Sequence, residues 1–225
     1  MNLGNLQAAI FDFDGLIADT ESVVFEAWRT VYIDLGEELD HATWAQAVGY
    51  ASVFDPKADL EKRLEKTIDW DPIERNLKAS QRVAFERLQP LPGALELIET
   101  FARAGCQLGC ASNSDRPWVE RGLTQLGVRE HFQALVALGE APANKPDPAP
   151  YRQVLEQLGV EAHCAIAFED SEPGLRSAKG AGLYTIIVPG PITLHQQLDL
   201  ADQRLETLAS FDLPSTLEAL GRTQR

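Results

Sequence analysis

The chain is poor in basic residues. Its 225 residues include 20 Lys and Arg against 34 Asp and Glu, which gives a formal net charge of -14. Nucleic acids and anionic membrane surfaces attract proteins through basic surface, so this charge argues against both as partners. A small molecule is the better expectation for the ligand.

Cysteine is also scarce. The three thiols, Cys106, Cys110 and Cys164, are odd in number and lie within or beside apolar runs. This placement favours buried free thiols over a disulfide framework or a metal cluster. A reducing compartment suits such thiols, and we expect a cytoplasmic protein.

Long apolar runs are missing as well. No run approaches the roughly 20 residues that cross a bilayer as a helix. The first apolar stretch has no basic segment before it and is broken by Asp12, so it does not resemble a signal peptide. We expect a protein without a membrane partner, and we expect the chain to be a monomer.

Five short apolar runs predict buried strands over residues 8–13, 107–111, 134–137, 165–168 and 185–188. Helical patterns separate most of them, and three of these patterns stop at Gly105, Gly127 and Gly159. Glycine suits the left-handed conformation that ends many helices. Strands that alternate with helices favour a parallel sheet, so the expected fold is α/β.

Residues 18–88 lie between the first two strands and show helical patterns without strand-like alternation. Asp19 or Thr20 can cap the first of these helices. We expect residues 18–88 to form a small helical domain, inserted into a sheet domain made of residues 1–17 and 89–225. Pro90 and Pro92 suit a stiff hinge where the chain returns to the sheet.

Two acids follow the first predicted strand. Alternation along an extended backbone places the side chains of Asp12 and Asp14 on the same side. Carboxylates that close repel each other unless a cation or a shared proton lies between them. In open α/β sheets, ligands bind beyond the carboxyl ends of the strands. The pair therefore predicts a bound metal ion, a tuned acid, or both.

Other strand ends supply further polar groups. Ser112 and Asn113 follow the second strand, Lys145 lies in the loop after the third, and Glu169 and Asp170 end the fourth. The acids suit a hard cation, the hydroxyl and amide groups suit oxyanions, and the lysine adds a fixed positive charge. This combination suits phosphoryl transfer, in which catalysis is mostly positioning and charge neutralisation.

Four motifs occur in order along the chain, each at or just after a predicted strand end. They are Asp12-Phe13-Asp14-Gly15 with Asp19-Thr20-Glu21, then Ser112, then Lys145-Pro146-Asp147-Pro148, then Phe168-Glu169-Asp170-Ser171. This order resembles the haloacid dehalogenase superfamily, and most closely its β-phosphoglucomutase-like phosphatases. The resemblance covers essentially the whole chain, and it implies a Rossmann-like sheet with a helical cap domain inserted after the first strand.

The resemblance also implies an activity. The expected enzyme is a magnesium-dependent phosphatase whose substrate is a small phosphate monoester, either a sugar phosphate or a nucleotide-related metabolite. By this resemblance Asp12 is the nucleophile that forms an aspartyl-phosphate. Asp14 is the general acid that protonates the leaving oxygen and then the base that activates water.

Ligands for the metal ion and the phosphoryl group follow from the same resemblance. Magnesium favours oxygen ligands, which here are Asp12, the backbone carbonyl of Asp14, Asp170 and, directly or through water, Glu169. The phosphoryl oxygens are expected to be held by Ser112, the backbone amide of Asn113 and Lys145.

Substrate choice is expected to lie in the cap. The segment with Gly49, Tyr50 and Ser52 corresponds to the cap loop that reaches the substrate in this family. True mutases carry an arginine there to grip a distal phosphate, and this loop has no basic residue, which favours hydrolysis. A β-phosphoglucomutase-type sugar phosphomutase remains an alternative, because the missing charge can come from Lys57, Lys62 or Arg63.

Two further classes of function are less favoured. A dehalogenase of this superfamily lacks the second aspartate, so Asp14 argues against that activity. A non-catalytic binding protein on the same fold is also conceivable, given the acidic composition. The intact set of motif acids argues against it.

Overall fold

A parallel sheet of six strands organises the fold. The computed structural model describes residues 3–45, 48 and 54–223. The strands are β1 (Ala8–Phe11), β2 (Gln107–Ala111), β3 (Phe132–Val136), β4 (Ala165–Glu169), β5 (Tyr184–Ile187) and β6 (Gln203–Arg204). Their order is β3-β2-β1-β4-β5-β6, and all neighbours run parallel. The predicted α/β fold with a Rossmann-like core is confirmed.

Helices occupy most of the remaining chain. In the part that the structure describes, they are α1 (Thr20–Asp34), α2 (His41–Ala45), α3 (Pro56–Leu64), α4 (Trp70–Phe85), α5 (Ala94–Arg103), α6 (Arg116–Gln125), α7 (Ala149–Leu158), α8 (Glu172–Gly180) and α9 (Leu213–Thr223). None of these described helices has both the length and the apolar character that a bilayer crossing requires.

Both faces of the sheet are covered. Ala9 and Phe11 of β1 belong to a hydrophobic cluster that includes Phe101 of α5. Ile10 points to the opposite face, into a second cluster that includes Val154 of α7. Because helices cover both faces, polar groups reach a ligand at the ends of the strands.

The strand bounds differ from the predicted ones where the pattern is weak. The backbone of Asp12 still bonds to the carbonyl of Phe168, but the chain then turns, so β1 ends at Phe11 rather than at residue 13. Strand β3 starts two residues before the predicted position, because the exposed Gln133 interrupts its apolar run. Strand β6 was not predicted, since its two residues are polar.

The helix ends follow the glycine signals. A glycine follows the end of each of three helices. Gly159 comes directly after α7, and one residue separates Gly105 from α5 and Gly127 from α6. The φ values of Gly105, Gly127 and Gly159 are 78°, 74° and 67°. These positive φ values are accessible to glycine at little cost. The residue pattern therefore located three helix ends to within two residues.

Helices α1 to α4 lie between residues 20 and 85, and the described residues of this helical segment have a hydrophobic cluster of their own. This cluster includes Phe25, Tyr32, Trp44 and Leu60, and Ile192 joins it from the chain after β5. The two connections between this segment and the sheet run side by side, because Ala18 forms a bridge with Asp14 and another with Pro90. The segment thus leaves and rejoins the sheet beside the end of β1.

The three cysteines are buried and unpaired, as predicted. Burial raises the pKa of the Cys106 thiol to about 12. Because the thiolate is the reactive form, this thiol is inert at neutral pH.

The contact between Gly122 of α6 and Phe13 gives a test of core packing. A Cβ at Gly122 would lie 2.1 Å from the Phe13 ring, which is fully buried. We expect Gly122→Ala to lower the free energy of unfolding by about 1–3 kcal/mol, although alanine is the better helix former. Urea denaturation measures this change.

The matched control is Thr124→Ala, an exposed site on the same helix, which should leave the urea midpoint unchanged or slightly higher. Adding Phe13→Leu to Gly122→Ala should recover part of the lost stability. Wild-type stability of Gly122→Ala would show that the ring does not set this contact.

Candidate active site

The end of β1 places two acids beside a tight turn. Asp12 extends the backbone pairing with β4, and the amide of Gly15 then donates to the carbonyl of Ala18. Gly15 has a φ of 75°, and a Cβ there would lie 2.4 Å from Oδ2 of Asp170. Both the turn and the close approach of Asp170 therefore require glycine.

A buried ammonium group joins two strand ends. Nζ of Lys145 lies 2.6 Å from Oδ1 of Asp12 and 2.5 Å from Oε1 of Glu169. The three side chains are almost completely buried. Burial alone would lower the pKa of Lys145, but the two carboxylates raise it above its ordinary value. Lys145 is therefore positively charged at neutral pH.

Glu169 is held by donors on both of its oxygens. Oε1 accepts from Lys145 and from the hydroxyl of Tyr151 at 2.5 Å, while Oε2 accepts from the amide of Asp170 and the hydroxyl of Ser171. A Cβ at Gly174 would lie 2.0 Å from this carboxylate, so glycine leaves room for it. This full set of partners makes Glu169 a fixed anchor for Lys145.

Asp12, Glu169 and Asp170 form an acidic cluster in which one carboxylate oxygen from each residue lies within 4.8 Å of the others. Three carboxylates against the single charge of Lys145 leave two formal negative charges. Burial raises the pKa of Asp170 well above its ordinary value, and Asp12 and Glu169 add to this shift. Burial also raises the pKa of Asp12, against the opposing effect of Lys145. Buried oxygen donors with this excess charge fit a divalent cation such as Mg²⁺.

The Asp14 side chain lies outside this acidic cluster. Its Oδ1 accepts from the Thr20 hydroxyl at 2.6 Å and from Nε1 of Trp118 at 2.8 Å, and its Oδ2 accepts from the Ser112 hydroxyl at 3.2 Å. Asp14 is partly exposed, whereas Asp12 is buried. The two neighbouring acids thus have different surroundings, one beside a fixed cation and one among neutral donors.

Asn113 holds the loop that carries Lys145. Its Oδ1 accepts from the amide of Lys145, and its Nδ2 donates to the Lys145 carbonyl, both at 3.0 Å. Ser112 accepts from the amide of Ser114 through its hydroxyl, at 3.0 Å. The residues after β2 therefore position both Lys145 and Asp14.

The first motif contributes one more acid, Glu21. Burial, together with the nearby carboxylates of Asp14 and Asp19, raises its pKa to about 8. Glu21 and Asp170 both line a small cavity of about 30 Å³ beside Gly15. This side of the site is therefore strongly acidic as well.

Seven of the predicted site residues come together at the strand ends: Asp12, Asp14, Ser112, Asn113, Lys145, Glu169 and Asp170. The predicted cap-loop residues Gly49, Tyr50 and Ser52 lie outside the described residues. Two of the basic residues that could replace the mutase arginine form ion pairs. Lys57 pairs with Glu74, and Arg63 pairs with Asp59 at 2.7 Å.

Sequence reasoning missed Tyr151 and Trp118. Each is an aromatic residue near the start of a helix that follows a polar loop, α7 for Tyr151 and α6 for Trp118. An aromatic residue in such a helix is typical of the core, and both rings do contact hydrophobic clusters. One signal in the sequence could have identified them. Tyr151 follows Lys145 closely and Trp118 follows Ser112 closely, and each side chain carries a polar atom that can reach the site.

Comparison with known proteins identifies a matching family and several relatives. Residues 9–188 match the haloacid dehalogenase-like hydrolase family. YhcW of Bacillus subtilis (strain 168) is 32% identical over 217 residues, which cover 96% of this chain and 98% of YhcW. Hexitol phosphatase B of Escherichia coli (strain K12) is 28% identical over 218 residues, which cover 91% of this chain and 93% of that protein.

Solved structures of CbbY from Rhodobacter sphaeroides share this fold. One is a complex with phosphate, and another, of a mutant, is a complex with xylulose-(1,5)bisphosphate. Each is 29% identical to this chain with a TM-score of 0.72, and the match covers 91% of this chain and 96% of CbbY. Since the family match spans most of the sequence and YhcW aligns along nearly its whole length, this chain belongs to the haloacid dehalogenase-like hydrolase family.

Proposed function

We propose that this protein is a magnesium-dependent phosphatase that hydrolyses a small phosphate monoester, of the sugar phosphate class, through an aspartyl-phosphate on Asp12. The observation that carries the proposal is the pairing of Asp12 with Lys145 beside Asp170, with Asp14 close by among neutral donors. Hexitol phosphatase B and the CbbY complexes support the substrate class, because their names describe phosphorylated carbohydrates or bound phosphate.

Asp12 acts as the nucleophile in the first step. One of its carboxylate oxygens attacks the phosphorus, and the ester bond breaks with its electron pair going to the leaving oxygen. Lys145 holds Asp12 through Oδ1 and keeps the carboxylate in one orientation. Asp14 gives its proton to the leaving oxygen, so that a neutral alcohol departs.

Asp14 acts as the base in the second step. It takes a proton from a water molecule, whose oxygen attacks the phosphorus of the aspartyl-phosphate. The bond between Asp12 and phosphorus breaks, which releases inorganic phosphate and restores the Asp12 carboxylate. Proton transfer therefore returns Asp14 to its starting state in each cycle.

The phosphoryl oxygens are bound by Ser112, the backbone amide of Asn113 and Lys145. Asp12, Asp170 and the backbone carbonyl of Asp14 would hold Mg²⁺. Both oxygens of Glu169 already have protein partners, which favours a contact between Glu169 and the ion through water. When bound, the ion neutralises charge on the phosphoryl group during transfer.

Residues 18–88 act as a cap over this site and choose the alcohol part of the substrate, through the segment with Gly49, Tyr50 and Ser52. Hydrolysis is favoured over mutase activity because Lys57 and Arg63, two cations that could replace the mutase arginine, are paired with carboxylates of their own segment. We retain the expectation of a cytoplasmic monomer.

Removal of the nucleophile tests the central step. Asp12→Asn should lower magnesium-dependent hydrolysis of p-nitrophenyl phosphate and of a sugar phosphate panel by at least about 1000-fold, because an amide does not form the phosphoenzyme. Phosphate release measures this loss. Asp199→Asn, at an exposed site, is the control and should keep wild-type activity. Turnover by Asp12→Asn would exclude Asp12 as the nucleophile.

Metal binding has a readout that does not need activity. In metal-free buffer Asp170→Asn should raise the melting temperature, because it removes one of the uncompensated buried carboxylates. Mg²⁺ at 100 times its Kd should stabilise the wild type by about 2.7 kcal/mol, and it should have little effect on the variant. Calorimetry measures both changes, with Asp199→Asn as the control. Equal Mg²⁺ responses of wild type and Asp170→Asn would place the metal site elsewhere.

Hydrolysis and isomerisation differ in their products. Incubation with a hexose 1-phosphate and Mg²⁺ should release inorganic phosphate, and ³¹P NMR should detect no hexose 6-phosphate. Accumulation of the 6-phosphate would instead support the mutase. If wild-type protein released no phosphate from any member of a metabolite panel, a non-catalytic binding protein would be favoured.

A further inference from the structure

Trp118 makes a polar contact with Asp14 that the mechanism above does not use. Its Nε1 donates to Oδ1 of Asp14 at 2.8 Å. The backbone of this residue is fixed at the start of α6, because the amide of Trp118 donates to the Asp115 side chain that caps the helix. The indole therefore approaches Asp14 from a rigid element of the sheet domain.

The three donors around Asp14 are not equivalent. The hydroxyl groups of Thr20 and Ser112 can donate or accept, depending on how each hydroxyl hydrogen rotates. The indole N–H of Trp118 can only donate. Oδ1 therefore accepts from Trp118 whatever the two hydroxyl groups do. The carbonyl oxygen of a protonated carboxyl is a better acceptor than its hydroxyl oxygen, so this contact favours a proton on Oδ2 of Asp14.

Oδ2 is also the oxygen on the side of Ser112, 3.2 Å from its hydroxyl. Ser112 is the residue that the proposed function places against the phosphoryl oxygens. We propose that Trp118 is a positioning residue that anchors Oδ1 of Asp14 and so presents Oδ2 to the leaving oxygen of the substrate. This inference rests on the proposed function and extends it to a residue outside the four motifs.

Proton transfer is then confined to one oxygen. In the first step the O–H bond on Oδ2 breaks as the leaving oxygen takes the proton, while the ester bond breaks with its electron pair. In the second step a proton from water moves to Oδ2 as the water oxygen bonds to phosphorus and the Asp12 bond to phosphorus breaks. Trp118 keeps its own proton throughout.

The position of the Trp118 ring is supported from the helical segment. Its ring centroid lies 4.5 Å from that of Phe85, the last residue of α4, with the rings edge to face. Gln125 of α6 donates to the Phe85 carbonyl at 2.7 Å, and the Arg121 guanidinium lies 4.9 Å from the Phe85 ring. Helix α6 thus holds the end of α4 against the indole, which limits how far the ring can swing.

Trp118→Phe tests this role, because phenylalanine keeps an aromatic ring but has no N–H donor. General acid catalysis matters most when the leaving group is a poor one, such as the alkoxide of a sugar, and matters little for nitrophenolate. We expect kcat/KM for a sugar phosphate to fall at least about 10-fold more than kcat/KM for p-nitrophenyl phosphate. Inhibition by inorganic phosphate should stay within about threefold of wild type, since Trp118 does not bind the phosphoryl group.

Trp70→Phe is the matched control. Nε1 of Trp70 donates to Oε1 of Glu61 at 3.0 Å, so this variant removes the same type of hydrogen bond within the helical segment. The ratio of kcat/KM for the two substrates should stay at its wild-type value in Trp70→Phe. A loss of packing alone would change the melting temperature of either variant without changing this ratio.

A second variant covers the case in which Trp118→Phe does not fold. Replacement of Trp118 by β-(3-benzothienyl)alanine keeps the bicyclic ring and puts sulfur in place of the N–H group. It should give the same selective loss with the sugar phosphate. NMR spectra of ¹⁵N-labelled wild-type protein and Asp14→Asn give a further test. The indole N–H signal of Trp118 should differ in position between the two proteins, whereas that of Trp70 should not.

Failures of the two proposals are distinguishable. Wild-type protein that hydrolyses neither substrate contradicts the proposed function before any variant is compared. An active wild type whose substrate ratio is unchanged in Trp118→Phe, or in the benzothienyl variant, contradicts the role of Trp118 and leaves the proposed function intact. An Asp14→Asn spectrum with an unmoved Trp118 signal also contradicts that role.

Discussion

The ion pair of Lys145 with Asp12 and Glu169 is the interaction on which the site depends. Removing one partner from a buried ion pair costs several kcal/mol, because the remaining charge loses both water and its counterion. Donors from Tyr151, Ser171 and the amide of Asp170 hold Glu169 in place. Gly174 leaves space for the Glu169 carboxylate. Asn113 adds two hydrogen bonds that hold the Lys145 backbone. Asp12, Glu169 and Asn113 together keep this ammonium group in place.

Sheet topology explains how distant parts of the sequence meet here. Strands β1 and β4 are neighbours, with Phe11 paired to Phe168, so the residues that follow this pair, Asp12 and Glu169, lie side by side. Strand β2 lies on the other side of β1 and delivers Ser112 to the same edge. Since the strands are parallel, each one contributes from its carboxyl end. The central position of β1 gives Asp12 neighbours on both sides.

Sequence reasoning predicted the central strands well, because each is a short apolar run with turn signals around it. It also predicted the group at the strand ends, since polar residues after buried strands are few and occur in a known order. It could not predict Tyr151 and Trp118, because their rings are typical core components and only the fold brings their polar atoms to Glu169 and Asp14. It missed β6 because two polar residues carry no periodicity.

The double bridge at Ala18 has a consequence for how this molecule can vary. Because Ala18 pairs with both Asp14 and Pro90, the ends of the helical segment are fixed next to each other. The entropic cost of holding the two ends of a loop together grows only slowly as the loop becomes longer. Helices can therefore be lengthened, exchanged or resurfaced between these two points while the register of β1 stays the same. Such changes would leave the side chains at the strand ends in their places.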